Sequence, residues 1–444
     1  MSASYCDVNT GLYIDGQWRR ASDGAEITVI DPANEETIAH VASASIEDAM
    51  AAIDAAERAG VLWAAQSPRE RAEILRKAFD LMSARADFFA RLITLENGKA
   101  LKDARGEVAY AAEFFRWYAE EAVRNIADLY TAPSGANRIM VLQQPVGVSV
   151  LITPWNFPAA MATRKIAPAL AAGCSVILKP APETPLTALA VAALLEQAGV
   201  PAGVVNVLAS SRSSQVVTAM LDDPRVRKLS FTGSTQVGRI LLANAARTVV
   251  NCSMELGGNA PVIVCNDAEL DIAVEGAMVA KMRNGGEACT AANRFYVEDG
   301  IADAFTTRFT ARMQTLKIGS GLDDGVDLGP LINKAAQEGM ALLVADARAH
   351  GGRVLTGGSK PNRKGYFFLP TVIADAGEGA QMLADEIFGP IAPIQRFDDL
   401  DDVIARANAT DYGLIAYVFT KDLKKGLGLS QRLDAGMVGL NRGV

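Results

Sequence analysis

Cys289 stands in the run Asn284-Gly285-Gly286-Glu287-Ala288-Cys289-Thr290. Glycines just ahead of a cysteine let a substrate approach the backbone closely, and an exposed backbone amide there can stabilise an oxyanion. The opposing reading is an inert, packed thiol. That is the common state of cysteine and the reading kept for Cys6, Cys174, Cys252 and Cys265. Glu255 opens Glu255-Leu256-Gly257-Gly258-Asn259. A carboxylate beside two glycines can swing toward a cleft as a general base, or it is simply a solvated acid at a turn. Thr232-Gly233-Ser234-Thr235-Gln236-Val237-Gly238 follows an apolar run and opens a helical pattern. A Gly/Ser turn at a helix N-terminus presents free amides to an anion such as a pyrophosphate; the alternative is a plain N-cap by Ser234. Lys179 ends another strand-like run, where an ammonium pairs with ribose hydroxyls or a phosphate, or rests in solvent.

The supply of other reactive groups narrows the chemistry. Only two histidines, His40 and His350, occur in 444 residues, so a catalytic base is expected to be a carboxylate or a lysine. Five cysteines without a CxxC pair make neither a disulfide framework nor a zinc site, so no metal is expected and a reducing cytoplasm fits. A net charge of −8 disfavours nucleic acid or an anionic membrane as a partner. No apolar run reaches the roughly 18 residues of a spanning helix. The start, Met1 to Cys6, lacks the basic and apolar regions of a secretory signal.

These groups need elements to position them. The first forty residues read as short strands and turns, followed by helices. Ser45 with Asp48, and Ser67-Pro68-Arg69-Glu70, are helix-start signals. From Val146 the pattern becomes strand–helix alternation, with strands at 146–152, 175–178, 204–208 and 228–231. Helices between them predict a parallel α/β sheet, whose ligands bind at the carboxyl ends of the strands. Three polar loops fall there: Thr153-Pro154-Trp155-Asn156, Lys179 to Glu183, and Thr232 to Thr235. A new unit begins near Met254 with Pro261-Val262-Ile263-Val264 as its first strand. Residues 126–145, with Pro133-Ser134-Gly135 between apolar stretches, read equally as a projecting hairpin or a surface loop. The last residues, Gly436 to Val444, stop within a strand and its turn without a polar tail, which reads as a cut chain.

Pro154-Trp155-Asn156-Phe157-Pro158, Lys179-Pro180, Phe231-Thr232-Gly233-Ser234, Glu255 to Asn259, Cys289, and Glu386-Ile387-Phe388-Gly389-Pro390 occur in this order. Together they resemble the aldehyde dehydrogenase superfamily over nearly the whole chain. The resemblance implies an α/β fold with a Rossmann-like cofactor domain (1–125 and 146–254), an oligomerisation hairpin (126–145) and an α/β catalytic domain (255–444). It implies Cys289 as the nucleophile toward an aldehyde, Asn156 and the Cys289 amide as the oxyanion hole, and Glu255 as the base that activates water. NAD+ or NADP+ would be held by Lys179 at the adenosine ribose, Gly233 and Ser234 at the pyrophosphate, and Glu386 with Phe388 at the nicotinamide ribose. Thr153 and Trp155 would line the same cleft, and Lys165 would lie near the ribose. These groups would converge where a nicotinamide ring can collect hydride.

Met161-Ala162-Thr163-Arg164-Lys165 and Lys281-Met282-Arg283-Asn284 resemble the succinate-semialdehyde dehydrogenase branch. There the arginines matching Arg164 and Arg283 hold the substrate's distal carboxylate, a task suited to bidentate guanidinium. The alternative makes both arginines structural ion-pair partners. Ala291 replaces a second cysteine found in some branch members, so no disulfide forms beside the nucleophile. Pro182 stands where NAD-selecting relatives carry glutamate, which removes repulsion toward a 2′-phosphate, while Glu183 next to it can restore the charge. The family's closing segment is also missing, which bears on assembly as a homodimer or homotetramer and on activity. The expected reaction is oxidation of succinate semialdehyde to succinate. The alternatives are another small aliphatic or ω-carboxy aldehyde, or a non-catalytic remnant that binds dinucleotide.

Overall fold

A computed structural model describes residues 8–444; Cys6 lies outside the described residues. The chain divides into two compact units. The first holds residues 37–96 and 104–255 with the N-terminal strands, and the second holds 31–36, 97–103 and 256–444.

The first unit is built on a seven-stranded sheet. Its parallel part runs, in spatial order, Asn251–Glu255, Val226–Thr232, Val148–Ile152, Val176–Lys179 and Val205–Val207. Leu12–Ile14 and Gln17–Arg19 complete it in antiparallel fashion. The runs Val148–Ile152 and Val176–Lys179 are buried at every position, as expected for strands covered by helices on both faces. The chain proceeds outward from Val148–Ile152 in one direction through Val176–Lys179 and Val205–Val207, then returns to build the other side. The strand order therefore reverses between Val148–Ile152 and Val226–Thr232, and this crevice at the carboxyl ends is where ligands of such sheets bind.

The helix-start signals form as their residue types dictate. Ser45 and Asp48 make a capping box on helix Ile46–Ala65, and Ser67 and Glu70 make another on Pro68–Ala84, with Pro68 in its first turn. Each cap contributes about 1 kcal/mol. Residues 126–145 contain two antiparallel strands, Asp128–Thr131 and Arg138–Val141, joined by a turn with Gly135 at φ 71°.

The second unit holds another seven-stranded sheet: Arg353–Thr356, Thr371–Ala374, Ile391–Phe397, Ala292–Glu298, Ala260–Val264, Ile415–Phe419 and Met437–Leu440 in spatial order. Only the first pair is antiparallel. Val262, Phe295, Tyr417 and Phe419 pack with Phe305 and Phe309 of helix Asp299–Gln314 in its main core.

Two short segments depart from the expected boundaries. Residues 31–36 and 97–103, read above as part of the cofactor domain, pack with the second unit. Gly98, at φ 92°, sits where a Cβ would strike Pro32 and Pro330 at 2.7 Å. Glu35 accepts from the Gly365 amide at 3.0 Å, and Lys102 pairs with Asp327 at 2.6 Å. Long-range contacts of this kind leave no periodic mark on the sequence.

Candidate active site

In the first unit, four helices follow the carboxyl ends of parallel strands; Ser213–Asp222 starts at Arg212 without a side-chain cap, and the N-termini of the other three differ. Helix Pro158–Ala171 starts at Phe157 without a side-chain cap, and buried Glu107 fills the gap, accepting from the amides of Ala159 and Ala160 at 2.8 and 3.2 Å. Helix Pro185–Ala198 likewise lacks a side-chain cap at Thr184, and buried Glu96 accepts from Leu186 and Thr187, both at 2.8 Å. Burial pushes the Glu96 carboxyl up to about 8, against the pull of its hydrogen bonds from Thr187 and Leu186. The third helix, Thr235–Ala245, is capped by exposed Ser234, which accepts from the Val237 amide at 3.3 Å. Among the described residues no carboxylate accepts from its first-turn amides, an arrangement that suits an external anion. Ser234 thus makes the plain cap bond, while Gly233 donates its amide to the Glu255 carbonyl at 3.1 Å.

Thr153 and Asn156 are buried and Trp155 is half-buried in the loop after Val148–Ile152, and the Thr153 amide donates to the Lys179 carbonyl at 3.2 Å. Lys179 is 5% exposed and ends its strand with no hydrogen-bond partner for its ammonium among the described residues. Burial pushes it down to about 8, partly opposed by Glu183. Pro182 is half-buried in the following turn. Lys165 is also pushed down to about 8, by burial first and Arg164 next, and donates to Ser230 Oγ at 2.9 Å.

Glu255 ends its strand opposite Thr232 and is half-buried. Arg164 Nη2 lies 3.4 Å from Glu255 Oε1, both side chains being 40% exposed. This is the contact the ion-pair alternative expects. Its length and exposure make it worth little.

In the second unit, Cys289 sits in the loop that enters strand Ala292–Glu298 at its amino end. Asn284, Gly285 and Gly286 take φ of 53°, 64° and 82°, three successive left-handed residues that turn the chain sharply before the cysteine. Cys289 is half-buried, whereas Cys174 and Cys265 are sealed in the core. Burial pushes the Cys265 thiol up to about 12. Cys252 is half-buried, and its thiol is also raised by burial. A Cβ on Gly258 would collide with the Cys289 carbonyl oxygen, so the Gly257-Gly258 pair is a packing requirement beside the cysteine. Tyr417 Oη donates to the Thr290 carbonyl at 2.8 Å and steadies the next residue.

The same unit brings Glu386 to that loop. Its Oε1 accepts from the Gly258 amide at 2.9 Å, and a Cβ on Gly257 would lie 2.6 Å from its Oε2. Burial pushes the Glu386 carboxyl up to about 7, opposed by the Gly258 hydrogen bond and the Lys281 charge. Phe388 holds φ 50°, a left-handed position unusual for an aromatic residue. Arg283 is exposed, and its charge acts on Asp103, a carboxyl that burial raises and neighbouring cations lower.

Glu96, Glu107 and Asn293 escaped the sequence reading, and Lys281 entered it only as part of a motif. Phe157, which cannot cap, was a usable signal, but the acids lie 52 and 90 residues before the amides of Ala159 and Leu186 that donate to them. Among the described residues no cluster of His, Cys, Asp or Glu could hold a metal, and no helix is long and apolar enough to cross a membrane.

The sequence profile of the Aldehyde dehydrogenase family matches residues 18–444. A succinate-semialdehyde dehydrogenase from Paenarthrobacter nicotinovorans is 53% identical to the chain, covering 92% of it and 90% of that protein. A glutarate-semialdehyde dehydrogenase from Pseudomonas aeruginosa is 46% identical, covering 97% and 89%. Among solved structures, an NADP-dependent enzyme from E. coli superposes with a TM-score of 0.97 at 47% identity, covering 98% of this chain and 91% of its own.

Proposed function

Because the chain belongs to the aldehyde dehydrogenase family, we propose that it oxidises succinate semialdehyde to succinate with NAD+ or NADP+. The observation that carries this reading is the backbone ending at Cys289: three left-handed residues and a close-packed glycine present a half-buried thiol outside the apolar core. The donors of the first unit fit a dinucleotide. They are a buried Lys179 ammonium with no hydrogen-bond partner among the described residues and the N-terminus of helix Thr235–Ala245, at the strand-order reversal, where no carboxylate accepts among the described residues.

In this proposal Lys179 takes the adenosine ribose, the amides around Gly233 and Ser234 the pyrophosphate, and Glu386 and Phe388 the nicotinamide ribose. Thr153, Trp155 and Pro182 line the cleft. The Cys289 thiolate attacks the aldehyde carbon, and the resulting oxyanion is held by the Asn156 side chain and the Cys289 amide. Bound NAD(P)+ supplies the hydride acceptor that lets this adduct become a thioester. Glu255 then takes a proton from the water that attacks the thioester carbonyl, and the acid leaves as Cys289 regains its thiolate. Arg164 and Arg283 bind the distal carboxylate. The weak Arg164–Glu255 pair leaves the guanidinium open to a bidentate exchange. A reducing compartment suits a reaction run by a thiolate. The exposed Leu129, Tyr130 and Met140 of the 128–141 hairpin are proposed to pack against a second copy of the chain.

A second reading, oxidation of glutarate semialdehyde, is favoured by the relative acting on that substrate. One methylene is worth only about 0.8 kcal/mol, so an arginine-lined site separates the two weakly. Nicotinamide absorbance, followed with both aldehydes and both cofactors, tests the proposal. Cys289→Ala is expected to lose at least about a thousandfold in rate. Equal rates from the two proteins would refute the catalytic role.

A further inference from the structure

Lys281 is fully buried in the last turn of helix Leu270–Met282. An ammonium taken out of water needs a partner. Its Nζ donates to Asn293 Oδ1 at 3.2 Å. Asn293 Nδ2 donates in turn to the Gly258 carbonyl at 3.2 Å, and the Gly258 amide donates to Glu386 Oε1 at 2.9 Å. Gly258 also packs on the Cys289 carbonyl without room for a side chain. One chain of contacts therefore runs from the buried ammonium to the backbone beside Cys289 and to the Glu386 carboxylate. Asn259, next to Gly258, pins the loop before Glu386 by donating to the carbonyls of Leu383 and Ala384 at 3.2 and 3.0 Å.

We propose that Lys281 is a positioning residue for the reaction: its charge balances the buried Glu386 carboxylate, and its hydrogen bond to Asn293 fixes the Gly258 backbone that flanks Cys289. The proposal rests on the roles given above to Glu386 and Cys289. Burial pushes Lys281 down to about 7 and Glu386 up to about 7, each pulled back by the other's charge. The other groups facing this carboxylate are Tyr412, whose phenol is raised by burial and then by Glu386, and the nearby Asp385 and Asp411. None of these supplies a positive charge, so among the described residues Lys281 is the cation that favours ionisation of Glu386.

The test is a fluorescence titration of NADPH or NADH binding to the full chain from pH 6 to 9.5, without aldehyde. In the parent protein, affinity should rise as pH climbs through about 7, because the ionised Glu386 carboxylate offers both oxygens to ribose hydroxyls and accepts more strongly than the neutral acid. In Lys281→Met this acid limb should move up by about one pH unit or more, with affinity at pH 7 reduced severalfold. Lys281→Gln, which keeps a hydrogen bond to Asn293 but no charge, should show the same shift and serves if the methionine variant melts early. Adding Glu386→Gln to either should abolish the limb. An acid limb that stays in place in a natively folded variant, or an affinity loss equal at every pH, overturns the proposal. Failure of the catalytic reading has a different signature: dinucleotide bound with the expected pH profile, and no aldehyde oxidised by the parent protein.

Discussion

The two units present their candidate chemistry at opposite ends of their parallel strands. In the first, Asn156, Lys179 and Ser234 follow the carboxyl ends of Val148–Ile152, Val176–Lys179 and Val226–Thr232. In the second, Gly258, Cys289 and Glu386–Phe388 precede the amino ends of Ala260–Val264, Ala292–Glu298 and Ile391–Phe397. Past the carboxyl ends of Ala260–Val264 and Ile415–Phe419 lies a polar knot instead. Asp267 accepts from Thr420, Lys421, Asp422 and Lys425, and these bonds hold its carboxyl at about 2 against the cost of burial. The difference follows from what each end offers. A strand's carboxyl end leads into a helix N-terminus, whose free amides suit an anion. A nucleophile needs a tightly specified backbone instead, and the left-handed run before Cys289 with Gly258 packed against it supplies one.

Substitutions in both units can break or sharpen this division of labour. The largest effect is expected from Glu255→Gln. Steady-state turnover should fall about a hundredfold while a first burst of reduced nicotinamide survives, since acylation by Cys289 does not need that base. Rapid-mixing absorbance checks this, and loss of the burst would place Glu255 in the earlier step. Next come Arg164→Ala and Arg283→Ala. Each should lower kcat/KM for succinate semialdehyde about tenfold more than for a neutral aldehyde of similar length, the worth of one charge-assisted hydrogen-bonded contact. Equal losses on both aldehydes would make the arginines structural, as the Arg164–Glu255 pair allows.

The smallest effect concerns pH. Lys179 is depressed to about 8, so its ammonium is present below that pH and lost above it. Dinucleotide affinity should therefore weaken severalfold as pH rises through about 8, and Lys179→Met should flatten this alkaline limb while leaving the acid limb set by Glu386. The same fluorescence titration reads both limbs. A parent profile without an alkaline limb would detach Lys179 from the cofactor.

Much of the frame was legible from local rules. The Ser45 and Ser67 capping boxes and the apolar strands each act within a few residues and formed as read, whereas the glycines after Glu255 answer to distant neighbours, Glu386 and the Cys289 carbonyl. The loop at Cys289 was legible as a motif but not as a shape. Gly285 and Gly286 announce freedom of φ and Asn284, at 53°, tolerates the left-handed region, whereas Phe388 at 50° adopts a left-handed φ that its residue type does not announce.

Residue type and order alone determined the family resemblance, the alternation that makes a parallel sheet, and which side chains can attack, ionise or pair with an anion. Those properties belong to single residues or to short periods along the chain. Tertiary structure decided which groups are buried, and with it the depressed Lys179 and Lys281 and the raised Glu386, because desolvation is set by neighbours that no local pattern records. It also decided that Glu96 and Glu107 fill the N-termini of helices Pro185–Ala198 and Pro158–Ala171, from positions far upstream in the sequence.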